Sequence, residues 1–169
     1  MKKTITLLFL ICSSVIYSQN GFESWDETYR LVEVSNVLET EKEYAKKVEA
    51  DPDEGQYYIA LRSYRFLAKF TGRSRNLRDK NLNSMRNVLK MQTGSAEILN
   101  GLVSKEFEFK INDLTLWLGI QNQLIEPFLK EVDKDQDVLL YTMFTNEHKF
   151  EGGYINTFLI SEFTTNWSK

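Results

Sequence analysis

The chain has 169 residues, 42% hydrophobic and 27% charged, with 2 Pro, 8 Gly, 1 His, 1 Cys and a formal net charge of -3. That composition excludes a disordered chain, a collagen-like repeat and a disulfide framework. One His and one Cys also leave no redundancy for a His/Cys metal site or a Cys-His nucleophile pair.

Residues 1 to 18 carry Lys2 and Lys3, an apolar run from Ile5 through Ile11, and a small residue at Ser18. A charged start, a short apolar stretch and a small residue at the cut are the three parts of a secretory signal peptide, so the chain is expected to be exported, to a periplasmic or extracellular location. The apolar run falls short of the roughly 20 residues a membrane-spanning helix needs. Lipidation at Cys12 does not fit, because Ile11 stands where a small residue is normal. Cleavage after Ser18 would leave a chain that starts at Gln19 and has no cysteine.

Residues 19–94 read as a helical region of two to three antiparallel helices. Ser24 with Glu27 fits a capping box, and Leu31, Val34, Leu38, Ala45 and Val48 follow a 3-4 spacing with Glu41 on the seam. Asp51, Pro52 and Glu54 supply a second start, and Gly72 a left-handed C-cap for a helix ending at Thr71. Ser74 would cap a third helix carrying Leu82, Met85 and Leu89, ended by Gly94.

Beyond Gly101 the apolar period changes to two, so residues 95–169 read as a small β-rich domain. Phe107, Phe109 and Ile111, then Leu114, Leu116, Leu118 and Ile120, flank Asn112-Asp113 as a hairpin with a two-residue turn. A short amphipathic segment follows with Leu124, Ile125, Phe128, Leu129 and Val132 on one face and Pro127 inside it. Val138 to Thr145 and Tyr154 to Thr165 read as two more strands, joined by a polar loop from Asn146 to Gly153. The expected fold class is α+β: a helical region, then about four mainly antiparallel strands with one helix, as an OB- or SH3-like barrel or an open sheet.

Charge is segregated along the chain. Residues 23 to 54 hold 11 acidic and 4 basic side chains, whereas residues 62 to 90 hold nine basic side chains against Asp79 alone. On a helix, Arg62, Arg65, Lys69 and Arg73 fall within one stripe, and Phe66 and Phe70 flank it. Those six residues are a candidate site for an anionic partner, an acidic protein surface or an anionic envelope component. The plainer alternative is that the acidic first helix neutralises the stripe inside the fold, or that it is a solvated face. Nucleic acid is a weaker candidate, since an acidic exported chain lacks the usual basic footprint.

Motifs for chemistry are sparse. Asp133-Lys134-Asp135-Gln136-Asp137 opens like a calcium loop, but Val138 and Phe144 stand where Gly and a bidentate Glu are required. His148 is expected in an exposed loop between Glu147 and Glu151. Gln121-Asn122-Gln123 after Trp117 offers amide hydrogen bonds to a sugar or peptide, although capping explains that run as well. Glu126 and Glu162 are the carboxylates to test for acid-pair hydrolysis. No cofactor, metal or catalytic motif is expected. The reading reached is an exported binding or structural accessory protein that docks a protein or an anionic envelope partner, with a small carboxylate hydrolase as the competitor.

Overall fold

The computed structural model describes residues 22–51, 57–149 and 153–167. The expected leader and the Pro52-Asp53-Glu54 helix start lie outside the described residues. The elements run α1 (Glu23–Thr28), β1 (Arg30–Leu31), α2 (Val34–Ala50), β2 (Tyr57–Asn76), α3 (Asp79–Thr93), β3 (Val103–Ile111), β4 (Leu114–Gln121), α4 (Asn122–Glu131), β5 (Asp137–Lys149) and β6 (Gly153–Thr164). A single 3-10 turn, Glu97–Leu99, lies between α3 and β3.

The helix expected after Asp51 is a β-strand of 20 residues, and it changes the architecture. β2 pairs antiparallel with β5 from Tyr57 to Lys69 and antiparallel with β3 from Lys69 to Asn76. Neighbours in the sheet run β1-β2-β3-β4-β6-β5, and the β2–β5 pairing closes all but β1 into a five-stranded barrel. The β unit is therefore a closed barrel of five strands, not four, and the expected N-terminal helical bundle does not form. β2 lies before the boundary expected at residues 94 and 95, yet it supplies one wall of the barrel. The expected α+β division fails because the segment fits two periods. Tyr64, Phe66, Ala68 and Phe70 alternate with Arg65, Leu67 and Lys69 as well as they fit a helix, and partners far along the chain decide between them.

Gly72 shows the same substitution of roles. Its left-handed backbone (φ 80°) serves a register shift between Phe70 and Ser74 instead of a helix end. A Cβ there would lie 3.0 Å from Lys134 Cγ. Gly94 does cap α3, with φ 86° and its N–H on the Lys90 carbonyl. The β3–β4 turn is Asn112-Asp113, with Asn112 at φ 52°.

Phenylalanine is the commonest residue of the barrel core, eight of its eighteen buried residues, with Val, Ile, Leu and Ala making up the rest. Phe128 of α4 sits edge-on to Phe70, Phe107, Phe109 and Phe163 with ring centroids 4.9 to 5.8 Å apart, so α4 plugs the barrel with one aromatic. β2, β5 and β6 continue past the barrel as a three-stranded extension clasped by helices on its two faces. α2 covers the face that continues the barrel interior, where Glu49 meets His148 at 3.3 Å. α3 covers the other, where Asn87 meets Glu147 at 3.0 Å and Met85 and Leu89 pack with Leu61, Met143 and Leu159. No helix among the described residues is long and apolar enough to cross a membrane.

Candidate functional site

The outer surface of the barrel carries a cleft of about 340 Å³ where the end of α3 leaves the sheet. Its floor is a row across four strands: Gln121 on β4, Ser161 on β6, Met143 on β5 and Ser63 on β2. Two small serines in a row of bulkier side chains leave the depression. Leu89 and Thr93 of α3, Ile98 and Leu99 of the 3-10 turn and Leu102 just after it line the cleft as well, together with Tyr29.

Local irregularity aims the floor. Pairing of β5 with β6 steps from Tyr141↔Glu162 to Thr142↔Ile160, so Ser161 is the extra residue of a β-bulge. Bulges bend a strand and re-aim side chains, and they concentrate beside functional sites. Gln121 is the last residue of β4, only 2% exposed, next to the β6 strand that carries Ser161. Burial is the main cause that pushes the Tyr29 phenol above its usual pKa, and the neighbouring Ser161 hydroxyl opposes it.

Tyr29 is held by α1, which docks through both charge and aromatic contact. Asp26 accepts the Tyr141 hydroxyl at 2.8 Å and pairs with Arg65 at 3.1 Å. Phe22, Trp25 and Tyr29 gather round the Tyr141 ring at centroid distances of 5.4 to 5.8 Å. Tyr141 is pushed well above the ordinary phenol range, first by burial and then by the Asp26 hydrogen bond.

The six residues of the expected anionic site are divided by the strand. Phe66 and Phe70 point into the barrel and are buried. Arg65 is engaged by Asp26 and by the Tyr29 carbonyl at 2.8 Å, and Lys69 by Asp137 and the Asp135 carbonyl, both at 3.0 Å. Arg73 pairs with Glu108 at 2.9 Å and lies 5.5 Å from the Trp117 ring centroid. Arg62 is exposed, and its charge only partly opposes the burial that raises the Glu41 carboxyl's pKa. Three of the four cations thus have acidic partners within the chain, and the four do not form one helical stripe.

The remaining candidates are scattered too. Trp117 lies under Arg75, whose guanidinium carbon is 3.9 Å from the indole ring centroid, and is not part of the cleft that holds Gln121. Asp135, at φ 66°, is in a turn that ties its N–H to the Phe70 carbonyl at 2.7 Å. His148 is not in a loop: it is a β5 residue, 1% exposed, beneath α2. Glu126 is exposed on α4, whereas burial raises the Glu162 carboxyl above the ordinary range, helped by Glu131. Neither carboxylate lines the cleft. Among the described residues no group of three or more His, Cys, Asp or Glu is placed to hold a metal ion.

Sequence reading singled out Gln121 but missed Ser63, Ser161 and Tyr29. The signal available was two serines interrupting otherwise bulky strand segments, legible only once both segments are known to be strands. Comparison with protein-family models, with curated proteins and with solved structures returns no match.

Proposed function

We propose that this is an exported binding protein and that its outer cleft receives a small, uncharged, largely apolar molecule. The observation that carries the reading is the chemistry of the lining. Leu61, Leu89, Leu99, Leu102 and Leu159 supply apolar surface, and every polar lining side chain is a hydroxyl or an amide. A concavity of about 340 Å³ with apolar walls and a few convergent polar groups has the size and composition of a small-molecule site. Such a lining offers neither a general base nor a nucleophile activated by one, which favours binding over hydrolysis.

Two further observations support this choice over a flat or anionic docking face. Arg65, Lys69 and Arg73 are already engaged within the fold, as set out above. Among the described residues, the large exposed apolar side chains Leu31, Leu67, Met91, Leu129 and Tyr154 lie on five different elements, with only Leu31 and Leu67 on paired strands. A protein-docking face needs such residues together. Export rests on the leader-like residues 1 to 18.

A neutral solvatochromic dye such as Nile red tests the cleft. Its fluorescence should rise on binding, persist in high salt and be lost in Ser63→Phe, which fills the floor. Binding that falls steeply with salt, or that survives the filled variant, would place the ligand elsewhere. Mass analysis of the secreted polypeptide should find a chain beginning at Gln19; an unprocessed chain retained in the cells would remove export from the proposal.

A further inference from the structure

The cleft floor carries more selectivity than its apolar walls require. Gln121 is 98% withdrawn from solvent by its 2% exposure, yet its side chain makes a single hydrogen bond among the described residues: its Oε1 accepts from Gln123 Nε2 at 3.0 Å. An amide has two N–H donors, and here both lack a protein partner among the described residues. Beside it the Ser161 hydroxyl, in a residue 7% exposed, reaches the Leu159 carbonyl only at 3.4 Å. The Gln121 amide nitrogen is not among the polar atoms sealed away without a partner, so its unspent donors open to the cleft, where a ligand oxygen can reach them.

We infer that Gln121 is the specificity-determining residue of the cleft, and that the ligand is an uncharged molecule whose apolar body ends in a carbonyl oxygen received by the Gln121 amide. This inference rests on the cleft being the binding site. The apolar body lies against Leu99, Leu102 and Leu159, where burial provides the affinity without direction. The carbonyl sets the orientation, because it alone matches the donors on the floor. A carboxylate in the same place is disfavoured: no cation lines the cleft, and desolvating the charge would be uncompensated.

The experiment compares acetophenone with ethylbenzene, which have nearly the same body with and without the oxygen, by following backbone amide shifts of the full processed chain during titration. Both probes should shift the amides of Ser63, Leu99, Gln121 and Ser161, with the ketone binding roughly tenfold tighter, the scale of one net hydrogen bond. In Gln121→Met, which keeps the length of the side chain and removes its donors, the hydrocarbon should bind as before and the ketone should lose its advantage. Equal affinities for the two probes in the unaltered chain would overturn the inference while leaving the cleft as a binding site. So would a ketone preference that survives in Gln121→Met. If neither probe moves the cleft amides, the binding-site reading itself falls, and the inference with it. The comparison in the unaltered chain decides even if the variant does not fold.

Discussion

The barrel and its three-stranded extension share the strands β2, β5 and β6, but they differ in how fully they pair their buried polar groups. On the outer face of the barrel, Glu106 is 1% exposed and bonded by Arg75 at 2.7 Å and Asn81 at 2.5 Å. Glu108 beside it is held by Arg73 and by Thr71 at 3.0 Å, and Arg75 lies over Trp117. Where α2 packs on the extension, Glu41 Oε2 of α2 and Asn146 Oδ1 and His148 Nδ1 of β5 are buried with no hydrogen-bond partner among the described residues, whereas in the barrel cluster only Arg75 Nη2 is so left. In the barrel, phenylalanine fills the inside and paired charges pin the strands outside. In the extension, polar side chains continue the row that phenylalanine occupies further along: Phe144 is followed on the same face by Asn146 and His148. The difference teaches where the fold is strong, since unpaired buried polar groups cost about 1–3 kcal/mol each and make local opening easier there.

The strongest test of that contrast is Phe128→Ala, which should remove about 3–5 kcal/mol of stability by emptying the centre of the aromatic cluster. Denaturant unfolding reads it directly; a loss below about 1 kcal/mol would mean that the barrel core is not the main stabilising unit. Next in size, Glu106→Ala should cost about 3 kcal/mol, because it leaves Arg75 and Asn81 without the carboxylate they bind. A negligible loss would show that the charged face outside the barrel is as loosely held as the extension.

A smaller effect distinguishes pairing from mere polarity on the extension. Asn146 Nδ2 donates to Asn156 Oδ1 at 2.6 Å while its own Oδ1 is idle. Asn146→Val alone should cost about 1 kcal/mol by stranding Asn156, whereas the double change with Asn156→Val should recover most of that loss. A double-mutant cycle with strictly additive terms would show that the two amides do not act as a pair.

The smallest effect is the pH dependence of Glu41. Burial raises its carboxyl above the ordinary carboxylate value of 4.5, with Arg62 opposing. The folded chain then keeps this proton at pH values where the unfolded chain has released it. Stability therefore falls as pH rises from about 4.5 through the raised folded value, and remains lower above it. Glu41→Gln should flatten this slope and raise Tm slightly at neutral pH, with little change at acid pH. A variant whose Tm fell at neutral pH while the slope persisted would show that the Glu41 charge is needed under α2.

The expectations that survived came from short-range chemistry. Asn112-Asp113 adopts a turn because Asn tolerates a left-handed backbone, and Gly94 ends α3 for the same reason. Periodicity of two over Phe107 to Ile111 reported a strand correctly because no competing helical pattern overlapped it. Tyr57 to Asn76 satisfied both periods, and His148 looked like a loop residue because Asn146, Glu147 and Glu151 surround it with polarity. Burying His148 takes α2 from a segment 99 residues away along the chain, through Glu49.

By itself, the amino-acid order determined composition, the leader-like opening, the turn residues and the amphipathic faces of α2 and α3, all properties of neighbours within one or two turns of chain. Only the tertiary structure decided that β2 is a strand, that five strands close into a ring, and that Gln121, Ser161, Ser63 and Tyr29 meet in one cleft. The physical reason is that a strand satisfies its backbone hydrogen bonds through other strands. A helix closes its own, so its signal is local, whereas the fate of a strand depends on partners as distant as β2 is from β5.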